Sequence, residues 1–173
     1  MRRFGVSMMT LGLVLTLTAM VWGYARDARV STLSPQDYAE IQHLTARLNQ
    51  GADSHDSDMW VSLWTPDGVW TAPDGRAYVG HAGLADYRRA RRAELKGRSD
   101  IRHWTNSLVL TRTADGATGR LYYMMMNVST SPPTPVSAGH YEDVFTKTAD
   151  GWRIKHRIIR VYPKDAGQKD AGQ

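Results

Sequence analysis

Cysteine is absent from all 173 residues. That excludes disulfides, thiolate nucleophiles and cysteine-ligated zinc, and it leaves the redox compartment open. Phenylalanine is scarce, with two residues against six Trp and eight Tyr, so most aromatic surface ends in a polar tip. Such side chains suit a semi-polar pocket or an interface as well as a core. There is little excess of one charge. The formal net charge is +5, and without Arg2 and Arg3 in the N-terminal leader it is +3, too little to indicate nucleic acid as a partner. The six histidines include no His-Glu-x-x-His pattern and no close ligand pair, so no metal site is expected. What is present, 42% hydrophobic and 23% charged residues, is the composition of an ordinary globular chain with room for one cored domain.

The N-terminus carries an address. Met1-Arg2-Arg3 is basic, residues 4–23 are uncharged and largely apolar, and Gly23-Tyr24-Ala25 is a small-x-small site just before Arg26 and Asp27. This pattern predicts a secretory signal peptide over residues 1–25. The apolar run is also long enough to span a bilayer, so an uncleaved membrane anchor through residues 4–23 is the alternative. Either way the folded part is expected to be secreted or periplasmic, or held at the membrane outside the cytoplasm. A linker over 26–33, a domain over 34–162 and a disordered, self-repeating tail over 163–173 complete the expected organisation.

Within the domain, Ser34-Pro35-Gln36-Asp37 has the features of a helix start: a capping Ser, Pro at the first position and an acid in the first turn. Tyr38, Ile41, Leu44 and Leu48 continue it at helical spacing to Gly51. A short helix is expected from Ser57 through Trp64, with Asp56 as its N-cap and Pro66-Asp67-Gly68 as its terminating turn. Pro73-Asp74-Gly75 marks a hairpin. Residues 81–96 read as a helix with Leu84, Tyr87 and Leu95 on one side, and with Arg88, Arg89, Arg91, Arg92 and Lys96 as a solvated basic face. Four strands follow, over 101–113, 117–128, 138–148 and 151–161. Two are joined by Ala-Asp-Gly turns and one by a proline-rich loop. Helices first and an antiparallel meander last is an α+β order, and a curved sheet wrapped around helices leaves an open mouth suited to a small molecule.

Two segments carry chemistry. Asp53 closes the first helix in Gly51-Ala52-Asp53-Ser54-His55-Asp56, and His103 lies early in the strand Ile101-Arg102-His103-Trp104-Thr105-Asn106. An imidazole is the natural base near neutrality, and a carboxylate on its second nitrogen fixes the tautomer and stabilises the imidazolium. Strand alternation puts Leu121, Tyr123, Met125 and Asn127 on one face, and Gly139, Tyr141, Asp143 and Phe145 on one face of the next strand, with His140 pointing away. On the last strand, Trp152, Ile154, His156 and Ile158 are expected to share a face.

The order of these pieces resembles the SnoaL-like group of the nuclear-transport-factor-2-like superfamily, which includes scytalone dehydratase and hexachlorocyclohexane dehydrochlorinase. The matching pieces are Asp53-Ser54-His55-Asp56, residues 63–70 (Leu-Trp-Thr-Pro-Asp-Gly-Val-Trp), His103-Trp104-Thr105-Asn106, Gly139-His140-Tyr141-Glu142-Asp143 and Asp150-Gly151-Trp152. The resemblance implies a cone-shaped curved antiparallel sheet around the N-terminal helices. It implies Asp53 and His103 as an acid–base pair, and Trp64, Trp70, Trp104, Tyr123, Asn127, Tyr141 and Asp143 as candidate pocket residues. It further implies a cofactor-independent lyase or isomerase acting on a hydrophobic, oxygenated small molecule, and pairing as a homodimer. A non-catalytic ligand-binding or assembly module on the same fold is the alternative. The sequence departs from the dehydratase where Asn127 stands near its second His and Ala52 near one of its tyrosines, so a strict scytalone-type dehydration is not implied.

Overall fold

A computed structural model describes residues 32–98 and 100–163. The expected signal peptide or anchor, nearly all of the linker and the tail from residue 164 lie outside the described residues. Among the described residues no helix is long and apolar enough to cross a membrane.

Helix α1 (Pro35–Asp53) starts on a capping box in which the Ser34 side chain accepts from the Asp37 backbone N–H while Asp37 reaches back to the Ser34 N–H. Asp37 is also a long-range anchor. Its Oδ1 accepts from Lys147 Nζ at 2.6 Å and from Trp152 Nε1 at 2.9 Å, which ties the helix start to the far end of the sheet. These bonds, that from Lys147 foremost, hold the Asp37 carboxyl well below the usual carboxylate range. Ile41, Leu44 and Leu48 lie on the buried face of α1 at 0, 5 and 2% exposure. Burying each contributes roughly 1.5–3 kcal/mol. The helix ends as Ser54 turns its N–H to Gln50 and His55 adopts a left-handed conformation with φ 58°. Asp56 then caps α2 (Ser57–Ser62) by accepting from Met59 N–H at 2.9 Å.

Strand β1 (Trp64–Thr71) pairs with the short β2 (Ala77–Val79), which leads into α3 (Gly80–Glu94). Then come β3 (Ile101–Thr113), β4 (Gly116–Asn127), β5 (Thr134–Thr148) and β6 (Gly151–Val161). The six strands form one curved, unclosed sheet in the order β2-β1-β6-β5-β4-β3. Every pairing is antiparallel except β1 with β6, which is parallel.

Two further differences have one physical cause, interruption of the strand register. Trp64 opens a strand rather than closing a helix, and Pro66-Asp67-Gly68 bulges out of β1: Trp64 pairs with Ile154, and pairing resumes only at Val69 with His156. On β6 the extra residue Lys155 shifts the alternation, because Phe145 pairs with Ile154 while Val144 pairs with His156. A bulge of this kind moves every later side chain to the opposite face. Trp152 and Ile154 share a face as expected, the inward one, but the bulge parts them from His156 and Ile158, and Arg157 turns inward at 1% exposure.

Candidate functional site

α1 delivers Asp53 to the concave side of the sheet beside the start of β3. One carboxylate oxygen lies 2.5 Å from His103 Nδ1, and the other accepts the His103 backbone N–H at 3.0 Å. Both side chains are largely enclosed, at 14 and 16% exposure. A carboxylate accepting from Nδ1 leaves Nε2 as the unprotonated ring nitrogen able to take a proton. The join is reinforced one turn earlier in α1 and two residues later in β3, where Asn49 Nδ2 donates to Thr105 Oγ1 at 2.8 Å. Local preference does not explain an acid at this point. The last turn of α1 contains no basic residue, and a carboxylate there faces the negative end of the helix dipole. Its partner is tertiary.

Asp53 and His103 line a cavity of about 440 Å³, together with Trp70, Tyr87, Tyr123 and Tyr141. The volume falls within the range of small-molecule sites. Its aromatic wall is continuous: Tyr123 stacks on Tyr141 at 4.7 Å between centroids, Tyr141 lies 6.3 Å from Trp70, and Trp70 lies 5.0 Å from Tyr87. Burial raises the Tyr123, Tyr141 and Tyr87 phenols above their ordinary values, so all three are neutral at physiological pH. A smaller recess of about 30 Å³ adjoins His103, walled by Asn49, Trp70, Arg88, Tyr141 and Arg157 among others.

Four of the expected pocket residues are elsewhere. Trp104 is 54% exposed and points to the opposite face of β3 from His103, as strand alternation requires of its neighbour. Trp64 is buried behind the wall, 5.0 Å from Trp60 and 6.3 Å from Trp70. Asn127 ends β4 and turns its Oδ1 to the Ser129 N–H and hydroxyl, a local turn contact outside the cavity. Asp143 does face inward but is sealed against Arg157, which donates two 2.6 Å bonds to it. Burial raises the Asp143 carboxyl, whereas the Arg157 guanidinium, although opposed by burial, is held above its ordinary value by that same carboxylate. The twin short bonds fit the ionised pair, and we take it as ionised. The Arg157 guanidinium carbon also lies over the Tyr141 ring, 4.1 Å from its centroid. His140 points away from the cavity, as expected, toward Tyr162 and Glu142.

Arg88 is the main residue the sequence reading missed. It is 6% exposed, donates from Nη2 to the Ala52 carbonyl at 3.0 Å, and lies 5.4 Å from the Trp60 ring centroid. The signal was there: Leu84, Arg88, Arg91 and Leu95 recur at four, three and four residues, so Arg88 belongs to the buried stripe of α3 and not to its solvated face. His55 is half-buried and bonds through Nε2 to the Arg98 carbonyl at 2.7 Å.

A family model described as a SnoaL-like domain matches residues 34–158. No curated protein gave a match. Among solved structures, the chain is similar to a nuclear-transport-factor-2-like protein with a cystatin-like fold from Novosphingobium aromaticivorans (24% identity over 83% of this chain and 90% of that one, TM-score 0.67). It is also similar to ActVI-ORFA from Streptomyces coelicolor (23% identity, 72% and 96% covered, TM-score 0.65). A third similar structure is a Catenulispora acidiphila protein in complex with S-DNPA (23% identity, 72% and 92% covered, TM-score 0.60). At these identities the likeness speaks for the fold alone.

Proposed function

Because the chain belongs to the SnoaL-like domain family, we propose that it is a cofactor-independent enzyme of lyase or isomerase type acting on a hydrophobic, oxygenated small molecule. The observation that carries this reading is the Asp53–His103 pair on the cavity wall, with both carboxylate oxygens committed to one histidine. His103 Nε2 takes a proton from a substrate carbon, and the Asp53 carboxylate orients the ring and stabilises the imidazolium until the proton is returned or a leaving group departs. The substrate's apolar body rests on Trp70, Tyr87, Tyr123 and Tyr141. That a similar fold holds a small molecule in the Catenulispora acidiphila complex supports a ligand role for this hollow.

The same proposal places the enzyme outside the cytoplasm, by the leader at residues 1–25. It also pairs two copies through the outer face of the sheet, where Trp104, Val109, Tyr122, Met124 and Val144 are 36 to 65% exposed.

Small molecules that co-purify with the mature domain, identified by mass spectrometry, supply the substrate for the test. With that compound, His103→Ala is expected to lose at least about a hundredfold in kcat while retaining affinity. Weakened binding with no turnover or proton exchange, even by the wild-type protein, would instead identify a non-catalytic binding module.

A further inference from the structure

Two buried donors at the cavity lack acceptors. Trp70 Nε1 and Arg88 Nε have no hydrogen-bond partner, although their residues are only 5 and 6% exposed. An unpaired buried donor costs roughly 1–3 kcal/mol, so such groups are normally completed by something. Both residues line the main cavity, and both line the 30 Å³ recess beside His103. They come from different elements, β1 and α3, so neither a local turn nor a helix end accounts for them. Arg88 is held in place from two sides, by its Nη2 bond to the Ala52 carbonyl next to Asp53 and by the Trp60 ring.

We propose that Trp70 Nε1 and Arg88 Nε form an oxygen-acceptor site that receives the carbonyl oxygen of the substrate, as its enolate during turnover. This rests on the acid–base reading and narrows it to substrates with an enolisable carbonyl on an apolar ring. The recess holds about one water-sized group, which suits a single oxygen atom. In the reaction, the C–H bond next to the carbonyl breaks and its proton goes to His103 Nε2. The electron pair moves into the adjoining C–C bond, and the carbonyl π pair moves onto oxygen. A cationic guanidinium and an indole N–H stabilise that oxygen more in the transition state than in the ground state, which is what lowers a barrier. Where the substrate also carries a C=C bond conjugated with that enolate, the oxygen's pair reforms the carbonyl, the C=C bonds shift by one position and the proton returns to the far carbon, which completes an isomerisation with no oxidant or reductant.

The test needs no natural substrate. 4-Nitro-1-naphthol at about pH 8 binds as a coloured oxyanion, and 1-methoxy-4-nitronaphthalene is its neutral counterpart. The wild-type domain is expected to bind the anion at least about tenfold more tightly than the ether, the scale of one hydrogen bond to a charged group. Arg88→Met should abolish that preference, Trp70→Phe should reduce it severalfold, and Arg89→Met, on the exposed side of α3, should leave it intact. Should Arg88→Met fail to fold, Trp70→Phe decides alone, since it removes the N–H and keeps an aromatic ring. Equal affinity for anion and ether in the wild type, or a preference unchanged in Trp70→Phe and in any folded Arg88 variant, overturns the proposal. Asp53→Asn separates the two readings: it should keep the anion preference even where turnover is lost.

Discussion

Both carboxylate oxygens of Asp53 are committed to a single residue, His103, one to the ring at Nδ1 and one to the backbone N–H. The second bond fixes the carboxylate against the strand itself, so the ring's orientation does not depend on one contact. An amide at position 53 would preserve the shape and remove the charge that stabilises an imidazolium.

Asp53→Asn should therefore fold and bind ligand but turn over at least about a hundredfold more slowly, with KM little changed. Steady-state kinetics on the co-purifying compound check this. A variant equally impaired in KM and unaltered in kcat would contradict the orienting role.

Asp37 links the α1 cap to Lys147 and to buried Trp152 Nε1. Its folded carboxyl titrates well below the unfolded value of about 3.9, so its stabilisation is complete above roughly pH 5 and declines as pH falls toward the folded value. Urea unfolding of the wild type and Asp37→Asn between about pH 2 and 6 should show a stability gap that narrows on acidification. A gap independent of pH would mean that the charge contributes nothing.

Arg157 and Asp143 are a buried pair at 2% and 0% side-chain exposure. Asp143→Leu or Arg157→Met alone should cost about 3–5 kcal/mol, because each leaves an uncompensated buried charge. The double change to Leu and Met should recover part of that loss. Chemical denaturation of the four proteins gives the coupling directly.

Gly139 sits opposite Tyr123 on the cavity wall. A Cβ there would overlap the Arg160 carbonyl oxygen and approach the Tyr123 ring to 2.7 Å. Gly139→Ala should cost at least about 1–3 kcal/mol through strain and displace the Tyr123–Tyr141 stack. Thermal melting should record the first effect and weaker ligand binding the second.

The proposed pairing of two copies predicts a dimer by sedimentation equilibrium. Tyr122→Glu together with Trp104→Glu should yield folded monomers, because the two aromatic side chains lie on the outer face at 47 and 54% exposure. A wild-type monomer at micromolar concentration would rule the pairing out.

Much of this molecule was legible residue by residue. The Ser34-Pro35-Asp37 start, the Asp56 cap, the β3 to β6 meander and the inward faces of β4 and β5 up to Met125 and Phe145 all follow from short-range rules of period, capping and turns. These rules act within a few residues, and nothing distant contradicts them here. Trp104 was misread despite the same rule: if His103 faces inward, its immediate neighbour faces out. Arg88 was misread because its charge outweighed its position on the Leu84–Leu95 stripe.

Other features were not available to local reasoning. The Lys155 bulge reverses the end of β6 and turns Arg157 inward, and the β1 bulge converts an apparent helix end and turn into a strand. Both are set by which residues of a neighbouring strand are paired, a quantity with no short-range signature. The sequence by itself determined most of the element types, the concave faces of β4 and β5 and the identities of an acid and an imidazole fifty residues apart. Only the tertiary structure decided that those two meet at 2.5 Å, that the Nε–H of a buried arginine and an indole N–H lack acceptors at the same cavity, and that Trp64, Trp104, Asn127 and Asp143 do not line the hollow. The reason is physical: a side chain's chemistry is set by its own atoms, but its partner is set by the register and curvature of a sheet assembled from the whole domain.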